Sequence, residues 1–317
     1  MTLSNSLKLG AMVLALAMVA GQGDAQEAVP AAAPTRAQAP QALTTHVIKE
    51  GKVYWVEGGG GNSGIVIGDK GVVVIDAKTT PEAGAQLVAE VAKLTPKPIT
   101  DVIITHSDGD HVNGLAGFPD GLKIIAHKNN KMEQMAVYQF AAVEVGGGKC
   151  IPPANRLPNT IIFKDLVSTT INGERFVFHH FGPAHTNGDL IIELPAYKVA
   201  FVGDIITTSV LIHPEKNGTF EGWFANAKAL LSLNIDSYVG GHARGLDTKD
   251  SLRKQVADNM AVRGKVDALV DTGKSLIEVK AAMGDPAKDA SGCRGIPYLS
   301  LPNVEFGERT DRNSELK

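Results

Sequence analysis

The chain changes its spacing of apolar and polar positions many times, and each change marks an element. Short β-rich runs come first: Val53-Tyr54-Trp55-Val56, Gly64-Ile65-Val66-Ile67 and Gly71-Val72-Val73-Val74-Ile75. The turn Gly68-Asp69-Lys70-Gly71 joins the last two as a hairpin. Pro81 then opens a helix in which Ala85, Val88, Ala89 and Ala92 recur at helical spacing. Strand Asp101-Val102-Ile103-Ile104-Thr105 leads into a polar loop, strand Lys123-Ile124-Ile125-Ala126 and a helix from about Asn130. In the second half, residues 160–163, 174–181, 189–194, 199–206 and 237–239 are β-like, and 220–234, 249–270 and 274–283 are helical. Strands and helices interleave throughout, which is the pattern of an α/β chain. No repeat of 20–50 residues is present, so solenoids and propellers are excluded.

The two ends depart from this pattern. Residues 1–25 form a secretory signal: Lys8, an apolar run from Leu9 to Ala20, and Gly23-Asp24-Ala25 for cleavage before Gln26. The run is too short for a permanent membrane anchor, which needs about 20 apolar residues. Residues 26–45 are an Ala/Pro-rich linker that buries too little to order itself. The folded domain is expected over 46–302, followed by a polar tail at 303–317. Export to the periplasm or the medium follows from the signal.

Composition narrows the chemistry. With 317 residues, 44% hydrophobic and 21% charged, the chain can bury a large core. A net charge of −3 provides no basic field for nucleic acid. Two cysteines, Cys150 and Cys293, are too few for a thiolate metal site, although they could bridge in an oxidising compartment. A metal would therefore be held by His, Asp or Glu. Gly59-Gly60-Gly61-Asn62-Ser63-Gly64 matches the dinucleotide fingerprint literally, but it leads into a strand and offers no helix N-terminus to a pyrophosphate.

The informative stretch is Thr105-His106-Ser107-Asp108-Gly109-Asp110-His111, a loop at the C-terminal end of an apolar strand. It packs four potential ligands into six positions. His185 lies in a tight turn between two strands, Asp204 ends the strand Val199-Ala200-Phe201-Val202-Gly203, and His242 ends Tyr238-Val239-Gly240-Gly241. A carboxylate ending an apolar strand needs a partner against desolvation, and α/β folds converge ligands at such strand ends.

In order and spacing these motifs resemble the metallo-β-lactamase superfamily, whose first motif is usually His-x-His-x-Asp-His. The resemblance covers roughly residues 46 to 245 and implies a four-layer αββα sandwich, with two divalent metal ions, most naturally zinc, at one edge. Carried over by position, it implies His106, Asp108 and His185 on one ion, Asp110, His111 and His242 on the other, and Asp204 bridging both. Asp110 would also orient a metal-bound hydroxide that attacks an ester, lactone or β-lactam-type carbonyl of a small-molecule substrate. Asp108 stands where the family has a second His; a carboxylate there adds charge and hardness and opens the site to iron or manganese. Two alternatives are a di-iron redox protein of the same superfamily and a non-catalytic metal-binding homologue. Outside the motifs, Lys216 is a weak candidate for a substrate carboxylate, His179 and His180 read as structural, and Trp55 and Trp223 as packing residues.

Overall fold

Successive residues of the central strands part to opposite faces of a sheet, and here both faces are covered. Val72 and Val74 pack on one side with Leu87 and Val91, while Val73 and Ile75 pack on the other with Phe176 and Phe201. The computed structural model describes residues 42–144 and 156–284. The signal segment, residues 26–41 of the linker, both cysteines and the tail lie outside these residues.

The first sheet has seven strands in the order β1 to β7: β1 (Thr44–Lys49), β2 (Val53–Glu57), β3 (Ser63–Ile67), β4 (Val72–Ile75), β5 (Ile99–Ile103), β6 (Lys123–His127) and β7 (Thr160–Ile162). Its first four strands pair antiparallel and the rest parallel. The second sheet runs β12-β11-β10-β9-β8, with β8 (Leu166–Ile171), β9 (Glu174–His179), β10 (Ile191–Leu194), β11 (Val199–Gly203) and β12 (Ser237–Gly240). Only its β11–β12 pair is parallel.

Three apolar layers fit four structural layers. Tyr54, Val56, Ile65, Val102 and Ile124 face helix α1 (Pro81–Leu94) and the turn Asn113–Gly117. Trp55, Val66, Ile103 and Ile125 meet Phe178, Ile192, Phe201 and Val239 between the sheets. Ile191, Ala200, Val202 and Tyr238 face α4 (Phe220–Ser232) and α5 (Lys249–Asp271) through Trp223, Ala227, Leu230 and Leu252. This is the αββα sandwich, and the period of two along each strand produces it. Each fully buried aliphatic or aromatic side chain contributes roughly 1.5–3 kcal/mol. The remaining helices are α2 (Gly109–Val112), α3 (Lys128–Glu144) and α6 (Leu276–Ala282).

Two edge strands lie outside the sequence pattern. Thr44–Lys49 starts inside the stretch expected as linker, and Leu166–Ile171 falls where no strand was expected. Each borders its sheet and alternates exposed with half-buried residues, so neither carries a continuous apolar run. Trp55 and Trp223 are buried, and Trp223 Nε1 donates to Ile205 O at 2.7 Å, which ties α4 to the chain just after β11.

Candidate metal centre

The parallel strands of both sheets end at one edge, and there the chain turns abruptly. Asp76 follows β4 with φ +58°, a left-handed conformation that Asp tolerates. Thr105 and His106 follow β5, and Asp204 follows β11. His242 comes two residues after β12, behind Gly241. Gly241 is required: a Cβ there would lie 1.9 Å from Asp204 Oδ1.

All seven expected positions meet at this edge. One ligand atom from each of His106, Asp108, His185 and Asp204 lies within 4.8 Å of the others, and the same holds for Asp110, His111 and His242. Asp204 links the groups: Oδ1 is 3.2 Å from His111 Nε2, while Oδ2 is 3.2 Å from His242 Nε2 and 3.7 Å from His185 Nε2. Asp110 Oδ2 lies 3.1 Å from His242 Nε2. Asp108 Oδ2 lies 3.1 Å from His185 Nε2.

The fit to metal ions follows from what these atoms lack. His106 Nε2, His111 Nε2 and Asp204 Oδ1 are buried without a hydrogen-bond partner, although His111 Nε2 and Asp204 Oδ1 are close. Leaving such atoms unsatisfied is costly unless another group takes them up. Meanwhile the opposite ring nitrogens are tied down. His111 Nδ1 donates to Asp76 Oδ2 at 2.7 Å, and His185 Nδ1 donates to Leu211 O at 2.8 Å. Thr105 Oγ1 donates to Asp76 Oδ2 at 2.7 Å and lies 3.0 Å from His106 Nδ1, which extends the same support to His106. Fixing Nδ1–H outward leaves each Nε2 lone pair facing the centre, the arrangement a metal ligand needs. The cluster can hold metal ions.

Electrostatics agree. Burial opposes ionisation of Asp204, yet the charge and hydrogen bonding of His111, with help from His242 and His106, hold its carboxyl well below the usual range. Burial likewise works against Asp108, and His106, His185 and His213 outweigh it in the same direction. Hydrogen bonds to Asp110 and Asp204 push His242 up to about 10, against burial. His185 rises to about 9 because Asp108 and Asp204 outweigh its burial. Without metal, protons on the imidazoles satisfy the ionised carboxylates; a divalent ion would take their place.

Several residues that sequence reasoning missed complete the site, together with Lys216, which it offered only as a weak candidate for a substrate carboxylate. Asp76 ends an apolar strand just as Asp204 does, and that signal was available. Gly61 packs on His111 so closely that a Cβ would sit 2.2 Å from its ring, and Gly61 N donates to Asp110 O at 3.1 Å. Lys78 is fully buried and donates to Val56 O and Gly61 O at 2.7 and 2.9 Å, which fixes this glycine loop; burial lowers its pKa to about 7. His213 reaches Asp108 Oδ2 at 3.1 Å, and Lys216 Nζ pairs with Asp108 Oδ1, so Lys216 meets a ligand carboxylate of this chain. Ser107 Oγ donates to Glu133 Oε2 at 2.6 Å, and burial raises Glu133 to about 7. His179 pairs with Glu193, and His180 stacks on His127 and bonds Asp189 O, both outside the ligand groups.

The sequence profile of the metallo-beta-lactamase superfamily matches residues 56–242, more than half of the chain. The 2,4-dinitroanisole O-demethylase subunit alpha of Nocardioides sp. (strain JS1661) is 26% identical over 203 residues, 63% of this chain and 57% of that protein. Among solved structures, the stereoselective inverting sec-alkylsulfatase Pisa1 from Pseudomonas sp. superposes with a TM-score of 0.61 at 23% identity, over 80% of this chain and 46% of that one. A metallo-beta-lactamase from Pontibacter korlensis gives 0.56 at 17% identity, over 68% and 98%. The chain thus spans about half the length of the demethylase subunit and of the alkylsulfatase. With the sandwich, the edge position of the cluster and the profile match in agreement, the chain belongs to the metallo-beta-lactamase superfamily.

Proposed function

We propose that the protein is an exported, metal-dependent hydrolase of small molecules, with His106, Asp108 and His185 holding one ion, Asp110, His111 and His242 the other, and Asp204 both. The observation that carries this reading is the set of buried, unpartnered His106 Nε2, His111 Nε2 and Asp204 Oδ1 atoms within the two adjacent ligand groups. When bound, the ions supply Lewis acidity and lower the pKa of a coordinated water to about 7.

The protein's own residues divide the remaining work. Asp76 and Leu211 O orient the imidazoles. Asp110 and His242 form the open side, with side chains 32% and 40% exposed, whereas the ligands beneath them are buried. A substrate approaching there meets Asp110 first, and a carboxylate so placed can orient a water and take its proton. The segment around Leu211–Lys216 covers the Asp108 side. Neither a Ser nor a Cys nucleophile is called for: Ser107 is engaged by Glu133.

An ester, lactone or β-lactam-type carbonyl suits this chemistry. The O-demethylase and alkylsulfatase relatives extend the range to aryl ethers and alkyl sulfates. Zinc is the expected metal. The test is metal analysis of protein purified from the exported fraction, followed by turnover of lactam, lactone, aryl ester, aryl ether and alkyl sulfate substrates with and without chelator. Two equivalents of metal and chelator-sensitive hydrolysis of one class support the reading. Redox-active iron with no hydrolysis would favour the di-iron alternative, and metal without turnover the non-catalytic one.

A further inference from the structure

Asp108 is the one ligand position where this chain departs from its family's pattern, and the side chains around it are arranged unlike those of any other ligand. It stands at the N-cap of α2 but makes no capping hydrogen bond, so its carboxylate is free to serve elsewhere. Oδ2 faces inward to His185 and His106, and Oδ1 faces outward to Lys216 Nζ. The pair is largely sequestered, with the lysine side chain 20% exposed and the aspartate 13%.

Lys216 arrives there by construction. It closes the short 3-10 turn Pro214–Lys216, which Asn217 terminates in the left-handed region at φ +57°. Its N–H donates to His213 O at 2.9 Å, and its carbonyl accepts from Asn187 N at 2.9 Å. His213 N in turn donates to His185 O at 2.9 Å. The segment carrying the lysine is therefore stitched to the loop carrying His185, and both place their side chains on the same carboxylate. His213, the other base on Asp108, has Nδ1 2.5 Å from Glu215 Oε1, so it brings its own counter-ion. His213 Nε2 also lies 3.1 Å from Asp108 Oδ2, so Lys216 is the cation on Asp108 that pairs with no acid of its own segment.

We propose that Lys216 is the built-in counter-charge of Asp108, so that the two together present the ion with the net charge of a neutral imidazole. This inference rests on the metal-centre reading above and revises what Asp108 does within it. The carboxylate changes ligand hardness, as expected from sequence, but Lys216 cancels the added charge. An ammonium within one side-chain length of a divalent ion also repels it, and at such distances, screened by protein, a unit charge changes a binding constant by about tenfold or more. Removing the lysine alone should thus tighten metal binding, the reverse of what loss of a merely structural contact does.

The test is a double-mutant cycle on the full chain, with zinc as probe and a chromophoric chelator as competitor. It follows the equivalent of zinc that Asp108→Ala removes. Lys216→Met should bind that equivalent about tenfold tighter, Lys216→Arg about as wild type, and Asp108→His about tenfold weaker because the lysine is then uncompensated. Adding Lys216→Met to Asp108→His should bring affinity back to within about threefold of wild type. Thermal melting of each metal-free variant separates misfolding from charge effects, and Lys216→Arg keeps the charge if the methionine fails to fold. Unchanged or weaker zinc binding in Lys216→Met, or a double variant that stays about tenfold weaker than wild type, would overturn the proposal. So would unchanged zinc affinity in Lys216→Met with a raised KM confined to anionic substrates, because Lys216 would then be a substrate anchor. A wild-type chain that binds no zinc or other divalent ion overturns the metal-centre reading itself, a failure visible before any variant is made.

Discussion

Asp110 and His111 reach the centre from a four-residue turn bonded to the first sheet on several sides, whereas Asp108, two residues earlier, is held by a segment that crosses from the second sheet. Around His111 the support is backbone and buried polar scaffold. Asp76 takes its Nδ1, Ala77 N donates to its carbonyl at 2.7 Å, and Gly61 lies flat against its ring with Lys78 behind. Around Asp108 the support is charge: His185, His213 and Lys216 share one carboxylate. The contrast separates two ways of positioning a ligand. Backbone bonds and close packing fix geometry mainly by shape, whereas a cluster of charges fixes geometry only while its members keep their protonation states.

Asp204 is the joint between the two regions, so its removal should have the largest effect. Asp204→Ala should lose both metal equivalents and with them hydrolysis, read by elemental analysis of the purified variant; retention of one full equivalent would reduce Asp204 to a ligand of one group. Next comes a steric break on the scaffold side alone. Gly61→Ala places a methyl inside the His111 ring, which overpacking converts into about 1–3 kcal/mol of destabilisation. It should also cost the Asp110/His111/His242 equivalent. Gly245→Ala, where nothing lies within 4 Å, serves as the neutral control. If both variants melt alike, the glycine loop is not the support described.

Loss of an outer partner should be gentler. Asp76→Asn should weaken binding at the His111 group by about 10- to 100-fold. The effect on the His106 group should be smaller, because Asp76 reaches His106 only through Thr105. Equal losses at both groups would erase the asymmetry.

The smallest effect is a pH trend in the metal-free protein. His185 and His242, raised from 6.5 to about 9 and about 10, contribute stability that is complete below pH 6.5 and is lost as pH rises through those values. Asp108 and Asp204, held well below 3.8, contribute stability present above 3.8 and lost as pH falls through their lowered values. For these groups the melting temperature without metal should therefore be highest between pH 3.8 and 6.5 and decline toward alkaline pH, a decline that Lys78, lowered to about 7, partly offsets as it sheds its buried charge. Zinc binds only the deprotonated imidazole, so its stabilising increment should grow as pH rises from 6.5 toward 9. An increment independent of pH would mean that no protons are displaced.

Most of the sandwich was legible because its inner strands are apolar on both faces. The edge strands Thr44–Lys49 and Leu166–Ile171 were not, since their half-exposed alternation, Thr-Thr-His-Val-Ile-Lys in the first, is no stronger than that of a polar loop. The seven positions that meet in the cluster came from two signals, the dense loop motif His106–His111 and the strand-end residues His185, Asp204 and His242, which the resemblance to the superfamily joined into one ligand set. Their supports were harder to see. Asp76 ended a strand in the same way but belonged to no short motif. His213 and Lys216 sit in a segment whose path is set by backbone bonds to the His185 loop, a long-range pairing that local pattern does not encode. The Gly59–Gly64 run leads into β3, as expected, but its packing on His111 depends on a ring that comes fifty residues later.

Seven side chains are proposed to hold two ions, with Asp204 shared by both. Anomalous diffraction at the metal edge, from crystals of zinc-loaded protein, measures this directly. Two peaks are predicted: one contacting His106, Asp108, His185 and Asp204, the other contacting Asp110, His111, His242 and Asp204. A single peak, or peaks away from Asp204, would contradict the account.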